Sequence, residues 1–400
     1  MIQAMARARR LVAWSTVAAL VVVAGAERWR RASGGDAGEL LDWGLVRRTA
    51  AARCPAGEVA APEAGGPSYD ALVAEMLPWL TEVCGPGLAT PQFETVSVVD
   101  RHGFVDANIT IMRRVLGPVA ALQARLPGGS LRLSRLPLSL YTGFLLSVLA
   151  GRVLGQYDPL LRIEPLADGP DGPATERPRL LMVDPNVSAF VARAGLPAAD
   201  VRRWLTLHEL THAWQFEAHP WLAQHLSAQT RKLVVDPLQE LLREGGARRG
   251  ADPLALLGGL RSRLRPQIAA VRQLQAVMTV CEGHGNYVMR EVGRRHLPGF
   301  DRLDAAFHQR QTQRTLVERV VFALTGLSVK LRQYERGEAF LRQVEAAGGA
   351  ALLDRLWDGP EAMPSWAELR RPQRWVERIQ GPAPAEAAGP GRSRSAPSPA

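Results

Sequence analysis

Apolar residues recur at every third or fourth position through most of this chain, and that period is typical of α-helices. The pattern predicts helices at 69–83, 104–126, 197–216 and 267–295, with further helical segments before, between and after them. Only two stretches, 96–101 and 180–187, are short, rich in β-branched or apolar residues and typical of strands. We therefore expect a mainly α protein of the α+β kind, with one small sheet.

The strand predicted at 180–187 lies just before the 197–216 helix. An extended segment there would have an edge to which a peptide can add through main-chain hydrogen bonds. An ordinary buried strand would have the same sequence pattern, so both interpretations stay open.

The two ends of the chain differ in composition from the rest. Residues 1–35 combine Arg7, Arg9 and Arg10 with an uncharged run at 11–26 and a short linker, which predicts an export signal or a membrane anchor. A first helix of a soluble protein is the alternative, and export or membrane anchoring is slightly favoured over a cytoplasmic location. Residues 36–380 are expected to form a single domain, and residues 381–400, rich in Pro, Ala and Ser, a disordered tail. A second uncharged run, 136–151, is short for a membrane span and predicts a buried core helix.

Charge and cysteine content exclude two classes of function. The formal net charge is +10, but the basic residues are almost all arginine and are dispersed along the chain, so we expect no nucleic-acid partner. The three cysteines, at 54, 84 and 281, are too few and too scattered for a disulfide framework or a zinc finger.

One local motif has a spacing that metal chemistry requires. The helix predicted at 197–216 contains His208-Glu209-x-x-His212. Residues four apart lie on the same face of a helix, so the two imidazoles can bind one Zn²⁺. Glu209 then lies beside the metal, where it can act as a catalytic base toward water, as in other HExxH hydrolases. Apolar residues surround almost the whole helix, which indicates a position in the core.

A third ligand must come from another helix, and the 267–295 helix contains Glu282-Gly-His-Gly-Asn286. We predict Glu282 as the ligand, with Asn286 one turn further on orienting a ligand by a hydrogen bond. His284 is the alternative ligand, or a donor to a developing oxyanion. Gly283 and Gly285 would let this helix approach the HExxH helix closely.

Five separated motifs occur in order: Leu41-Asp42-Trp43, Leu154-Gly-Gln-Tyr-Asp158, Trp204-Leu-Thr-Leu-His-Glu-Leu-Thr-His212, Glu282-Gly-His284, and Tyr334-Glu-Arg-Gly337 with Trp357-Asp358. Together they resemble the type 2 zincin-like metallopeptidase family, formerly a domain of unknown function, some members of which are labelled as associated with coenzyme F420 biosynthesis. The resemblance runs from about Leu41 to Ile379. It implies a mostly helical zincin-like fold, a zinc ion held by His208 and His212, and Glu209 as the catalytic base. The Glu282-Gly pair is also similar to the glutamate ligand of other gluzincins.

These observations predict a zinc-dependent metallopeptidase that hydrolyses peptide or amide bonds in a peptide or protein substrate. Tyr334 is a candidate hydrogen-bond donor to the transition state, and a core tyrosine with a satisfied hydroxyl is the alternative. Two other functions stay open. One is a non-catalytic scaffold or interaction protein with the same fold, and the other is an amide hydrolase acting on a small molecule.

Overall fold

A computed structural model describes residues 40–60, 67–85, 96–124, 135–158, 180–245, 253–312 and 330–381. The predicted N-terminal signal or anchor (1–35) and the tail from residue 382 onward lie outside the described residues, so both stay predictions. Within the described ranges, no helix combines the length and the apolar character needed to cross a bilayer.

The described chain is mostly helical, as the apolar period predicted. Its helices are α1 (Trp43–Arg53), α2 (Tyr69–Cys84), α3 (Arg101–Ala124), α4 (Arg135–Ala150), α5 (Asp184–Ala194), α6 (Ala198–Glu217), α7 (Pro220–Gly245), α8 (Pro253–His296), α9 (Phe300–Thr312), α10 (Lys330–Asp354) and α11 (Pro372–Gln380). A 3-10 turn, Arg355–Trp357, follows α10. The small sheet predicted beside them is also present, which confirms the mainly α fold with a few strands.

Three short strands form the sheet: β1 (Val96–Val99), β2 (Gly155–Tyr157) and β3 (Leu180–Val183). Their order is β1-β3-β2, with β3 parallel to β1 and antiparallel to β2. The strand predicted at 180–187 ends at Val183, because Asp184 begins α5 and Pro185 lies in its first turn, where a missing N–H has no cost. Since β3 is central and buried at all four positions, the prediction that it offers a peptide-binding edge is wrong. The edges belong to β1 and β2.

Helix α6, which carries the HExxH motif, lies in the larger of two hydrophobic clusters. Its side chains are buried almost all the way round, as the sequence predicted, and the helix contacts α2, α5, α7, α8 and β2. Asp200 lies in the first turn, where a carboxylate interacts favourably with the helix dipole. Packing on every side therefore fixes the position of the motif.

Helix α4 confirms a helix at 136–151 but corrects its predicted burial. Its buried face contains small or polar residues, and Leu136, Leu140 and Tyr141 are 42–47 % exposed. The cause is a close crossing with α1: a Cβ on Gly143 would lie 2.6 Å from the Val46 carbonyl oxygen. Only small side chains fit that crossing, so these three larger residues lie on the outer face, while Leu146 packs in the core further along the helix.

Candidate metal centre

The two histidines of the motif lie one turn apart on α6, and their rings converge. His208 Nε2 and His212 Nε2 are 3.3 Å apart. Two nitrogens bound to one tetrahedral zinc ion at about 2.0–2.1 Å are separated by about 3.3–3.4 Å. The spacing of these two nitrogens therefore fits a shared ion.

Helix α8 brings a carboxylate to the same point. Glu282 Oε2 is 3.7 Å from His212 Nε2, and one possible ligand atom from each of His208, His212 and Glu282 falls within 4.8 Å of the others. Helix α8 passes close to both rings at Gly285, where a Cβ would lie in ordinary contact with the Cε1 atoms of the two histidines at 3.6 and 3.7 Å. Residues on two separate helices thus form a group that could hold a metal ion.

The close approach attributed to Gly283 is real, but its partner is a different helix. A Cβ on Gly283 would lie 2.5 Å from the carbonyl carbon of Gly337 on α10. A Cβ on Gly337 would in turn lie 2.1 Å from the carbonyl oxygen of Thr279. The Glu-Gly and Tyr-Glu-Arg-Gly motifs therefore meet at a backbone-to-backbone crossing, directly behind the candidate ligand.

The protonation state of His208 suits a cation. Burial, with a smaller effect of His212, lowers the pKa of His208 to about 3, so its ring is neutral at physiological pH. Neutral imidazoles and a carboxylate are the donor set that zinc takes in many hydrolases. The His212 side chain is 16 % exposed, so the group is reachable from solvent.

Glu209 follows His208 on α6 and lies against the strand β2. Its Oε2 accepts a hydrogen bond of 3.1 Å from the Tyr157 N–H, and the side chain is buried. A Cβ on Gly155 would lie 2.9 Å from Glu209 Cγ, so only glycine leaves room for the carboxylate in this position. The Leu154-Gly-Gln-Tyr-Asp158 motif therefore serves to hold Glu209.

Comparison with known proteins agrees with this geometry. A family model described as a zincin-like metallopeptidase matches residues 41–376. The chain belongs to this family. The resemblance inferred from the five motifs is thus confirmed, together with the zincin-like fold. None of the curated proteins that were compared matches the chain.

One solved structure is similar to this zincin-like protein. It is a candidate hydrolase with a novel fold from Chloroflexus aurantiacus, with 32 % sequence identity and a TM-score of 0.62. The match covers 85 % of this chain and 99 % of the other. Family and neighbour together support the assignment of this zincin-like protein as a hydrolase with a possible metal site.

Gln215 is a polar residue of the site that the sequence reasoning missed. It is fully buried on α6, and its Oε1 lies 3.0 Å from His212 Nδ1. Its Nε2 contacts the Cys281 carbonyl oxygen at 2.8 Å and His284 Nδ1 at 3.1 Å. The sequence does contain a signal for it, because an amide three residues after His212 lies on the same face of an otherwise apolar helix as the candidate ligands.

The remaining predicted site residues lie outside the group of three. His284 is buried and lies between aromatic rings, stacked on Trp214 at 5.4 Å between centroids and edge-on to Trp357 at 5.0 Å. Burial lowers the pKa of His284 to about 3. Asn286 is half-buried one turn beyond Glu282, and its orienting role stays a prediction. Tyr334 belongs to α10, but its side chain is outside the described part of the structure.

Proposed function

We propose that this protein is a zinc-dependent peptidase that hydrolyses peptide or amide bonds. The observation that supports it best is the convergence of His208, His212 and Glu282, together with a buried Glu209 that follows His208 on α6 and is held by the Tyr157 N–H of β2. Zinc, when it is bound, supplies Lewis acidity, which activates water and polarises a carbonyl group.

The chain's own residues supply the proton transfers. Glu209 takes a proton from the attacking water and delivers it to the leaving amine, a role in which positioned carboxylates contribute about 10²–10⁴-fold to the rate. The Tyr157 N–H donates to one oxygen of this carboxylate and so holds the side chain in one orientation. Holding the base in one orientation reduces the entropy that is lost on reaching the transition state.

The position of β2 at one edge of the sheet formed by the described residues favours an extended peptide over a small molecule. The Val183 N–H donates to the Leu154 carbonyl, so Leu154 and Gln156 direct their main-chain groups toward β3. Main-chain groups alternate along a strand, and those of Gly155 and Tyr157 therefore point away from β3. The Tyr157 hydrogen bond to Glu209 agrees with this direction. A peptide that adds to this edge would pass directly over the catalytic base.

The test compares the wild-type chain with Glu209→Gln and His208→Ala. Metal analysis should find near-stoichiometric zinc in the wild type and in Glu209→Gln, and much less in His208→Ala. A diverse peptide mixture should be cut at reproducible sites by the wild type only, with at least a 10²-fold lower rate for Glu209→Gln.

Two outcomes would contradict the proposal. Zinc absent from the wild-type protein would exclude the metal site. Zinc present with no cleavage of any peptide, or cleavage that Glu209→Gln retains in full, would favour a scaffold protein or a hydrolase of small amides.

A further inference from the structure

Gln215 joins the two helices that carry the candidate ligands. Its side chain is fully buried, it starts from α6, and its amide contacts the main chain of α8 at Cys281, the residue before Glu282. All three of its polar contacts, to His212, Cys281 and His284, lie between 2.8 and 3.1 Å. A buried amide with a full set of partners has one defined orientation.

The orientation of the amide follows from the Cys281 carbonyl. A main-chain carbonyl oxygen can only accept a hydrogen bond, so the atom of Gln215 that faces it is the nitrogen. The oxygen, Oε1, then faces His212 Nδ1 and can only accept as well. The amide nitrogen has a second hydrogen, which points at His284 Nδ1.

This orientation determines which ring nitrogens carry protons. His212 Nδ1 must donate to an oxygen acceptor, so it bears the hydrogen, and Nε2 of the neutral ring has the free electron pair that a metal requires. His284 has the opposite tautomer. Its Nδ1 accepts a hydrogen bond from the Gln215 amide, so its ring hydrogen is on Nε2. One backbone carbonyl thus fixes, through Gln215, the tautomers of two histidines.

His208 is held differently. Its ring stacks on Trp204 with centroids 5.5 Å apart, and its buried Nδ1 has no hydrogen-bond partner among the described atoms. Stacking fixes the plane of a ring but not the position of its proton. The polar neighbour of the His208 ring is instead His212 Nε2, 3.3 Å from His208 Nε2, so among the described residues no amide fixes the His208 tautomer as Gln215 fixes that of His212.

We propose that Gln215 is a positioning residue that sets the tautomer of His212 and ties it to the segment of α8 that bears Glu282. Metal binding then needs no proton rearrangement at His212 and no movement of α8 relative to α6. The inference rests on the proposed metal site, but it does not depend on which bond the protein hydrolyses.

The direct test is the tautomer of each histidine in the metal-free, full-length wild-type protein. Long-range ¹H–¹⁵N correlation on ¹⁵N-histidine-labelled protein distinguishes a ring protonated on Nδ1 from one protonated on Nε2, and the His212→Ala and His284→Ala variants assign the signals. We expect His212 protonated on Nδ1 and His284 protonated on Nε2 near neutral pH. His212 protonated on Nε2 would overturn the proposal, whether or not the protein binds zinc or cleaves peptides.

A variant series tests the consequence for metal affinity, measured by competition with a chelator. Gln215→Leu removes every polar contact and should weaken zinc binding by about 10–100-fold, the usual effect of losing a hydrogen-bond partner of a ligand histidine. Gln215→Glu keeps an acceptor opposite His212 Nδ1 but loses the donor to the Cys281 carbonyl, so its zinc affinity should fall between those of wild type and Gln215→Leu.

Thr211→Val is the matched control, because Thr211 is a fully buried polar residue of the same helix whose hydroxyl donates to the Leu207 carbonyl one turn earlier. It should keep wild-type zinc affinity even if it loses stability. Equal zinc affinity for Gln215→Leu and wild type, or equal losses for Gln215→Leu and Thr211→Val, would overturn the proposal. If Gln215→Leu does not fold, the tautomer measurement on wild type still decides.

Discussion

The crossing of α8 and α10 gives a prediction whose size follows from the coordinates. In Gly283→Ala, the new Cβ would lie 2.5 Å from the carbonyl carbon and 2.7 Å from the Cα of Gly337. Carbon atoms in contact are normally about 3.5–4.0 Å apart, so the two helices would have to separate by about 1 Å at this point. Such overpacking costs about 1–3 kcal/mol, while alanine gains about 1 kcal/mol over glycine in helix propensity. We expect a net loss of up to about 2 kcal/mol.

Gly285→Ala is the matched control two residues away on the same helix. Its Cβ would meet only the two histidine rings, at the ordinary contact distances of 3.6 and 3.7 Å. It should therefore be unchanged or stabilised by up to about 1 kcal/mol through helix propensity alone. Urea unfolding of both variants in the presence of a chelator measures the difference without a contribution from metal. If Gly283→Ala is as stable as Gly285→Ala, the tight crossing does not exist as described.

Three further predictions concern other parts of the chain. Gly155→Ala should slow peptide hydrolysis and leave zinc affinity unchanged, because the added Cβ would displace the Glu209 carboxylate; turnover and chelator titration on one preparation check both. Asn186→Ala should cost about 2–3 kcal/mol in urea unfolding, because its buried amide donates to two main-chain carbonyls that would lose their donor, and a loss below about 1 kcal/mol would contradict this. His219→Phe should flatten the acid side of the stability profile. Burial lowers the pKa of His219 from 6.5 to about 4, so between these values the unfolded chain binds a proton that the folded chain does not, and stability falls as the pH drops. Phenylalanine can keep the stacking on Trp357, and equal pH slopes for the two proteins would show that His219 is not the cause.

Helix α6 and its metal-ligand pair were predictable from sequence because both depend on local spacing. A ligand pair at i and i+4 lies on one helix face whatever surrounds the helix, and an all-round apolar pattern has few solutions other than a core helix. The predicted bounds, 197–216, differ from the observed Ala198–Glu217 by one residue at each end. Glu282 was found for a different reason, since a carboxylate followed by two glycines, at 283 and 285, on a distant helix has an unusual local composition.

Features that depend on pairs of distant segments were not predictable in the same way. Gly283 was assigned to a contact with the wrong helix. A glycine in a helix indicates that another backbone packs closely there, but it does not show which segment that backbone belongs to. The small and polar residues on the buried face of α4 were missed. An uncharged run has no alternation of polar and apolar residues that would show which side of the helix packs on α1. The role of Gln215 can be inferred only once its contact with the Cys281 carbonyl is known. That contact joins residues 66 positions apart in the sequence.

The arrangement around the site indicates that the fold, rather than the metal, brings the ligands together. The backbone crossing at Gly283 and Gly337 fixes α8 against α10, and Gln215 fixes α8 against α6. Both contacts are made by groups that do not bind the metal, and α6 itself is buried on nearly every side. In small zinc domains, by contrast, the ion supplies the folding energy and the ligands are unordered without it. Here the ordering entropy of the ligands is already lost on folding, so the binding energy of an ion is available for affinity and for polarising a substrate.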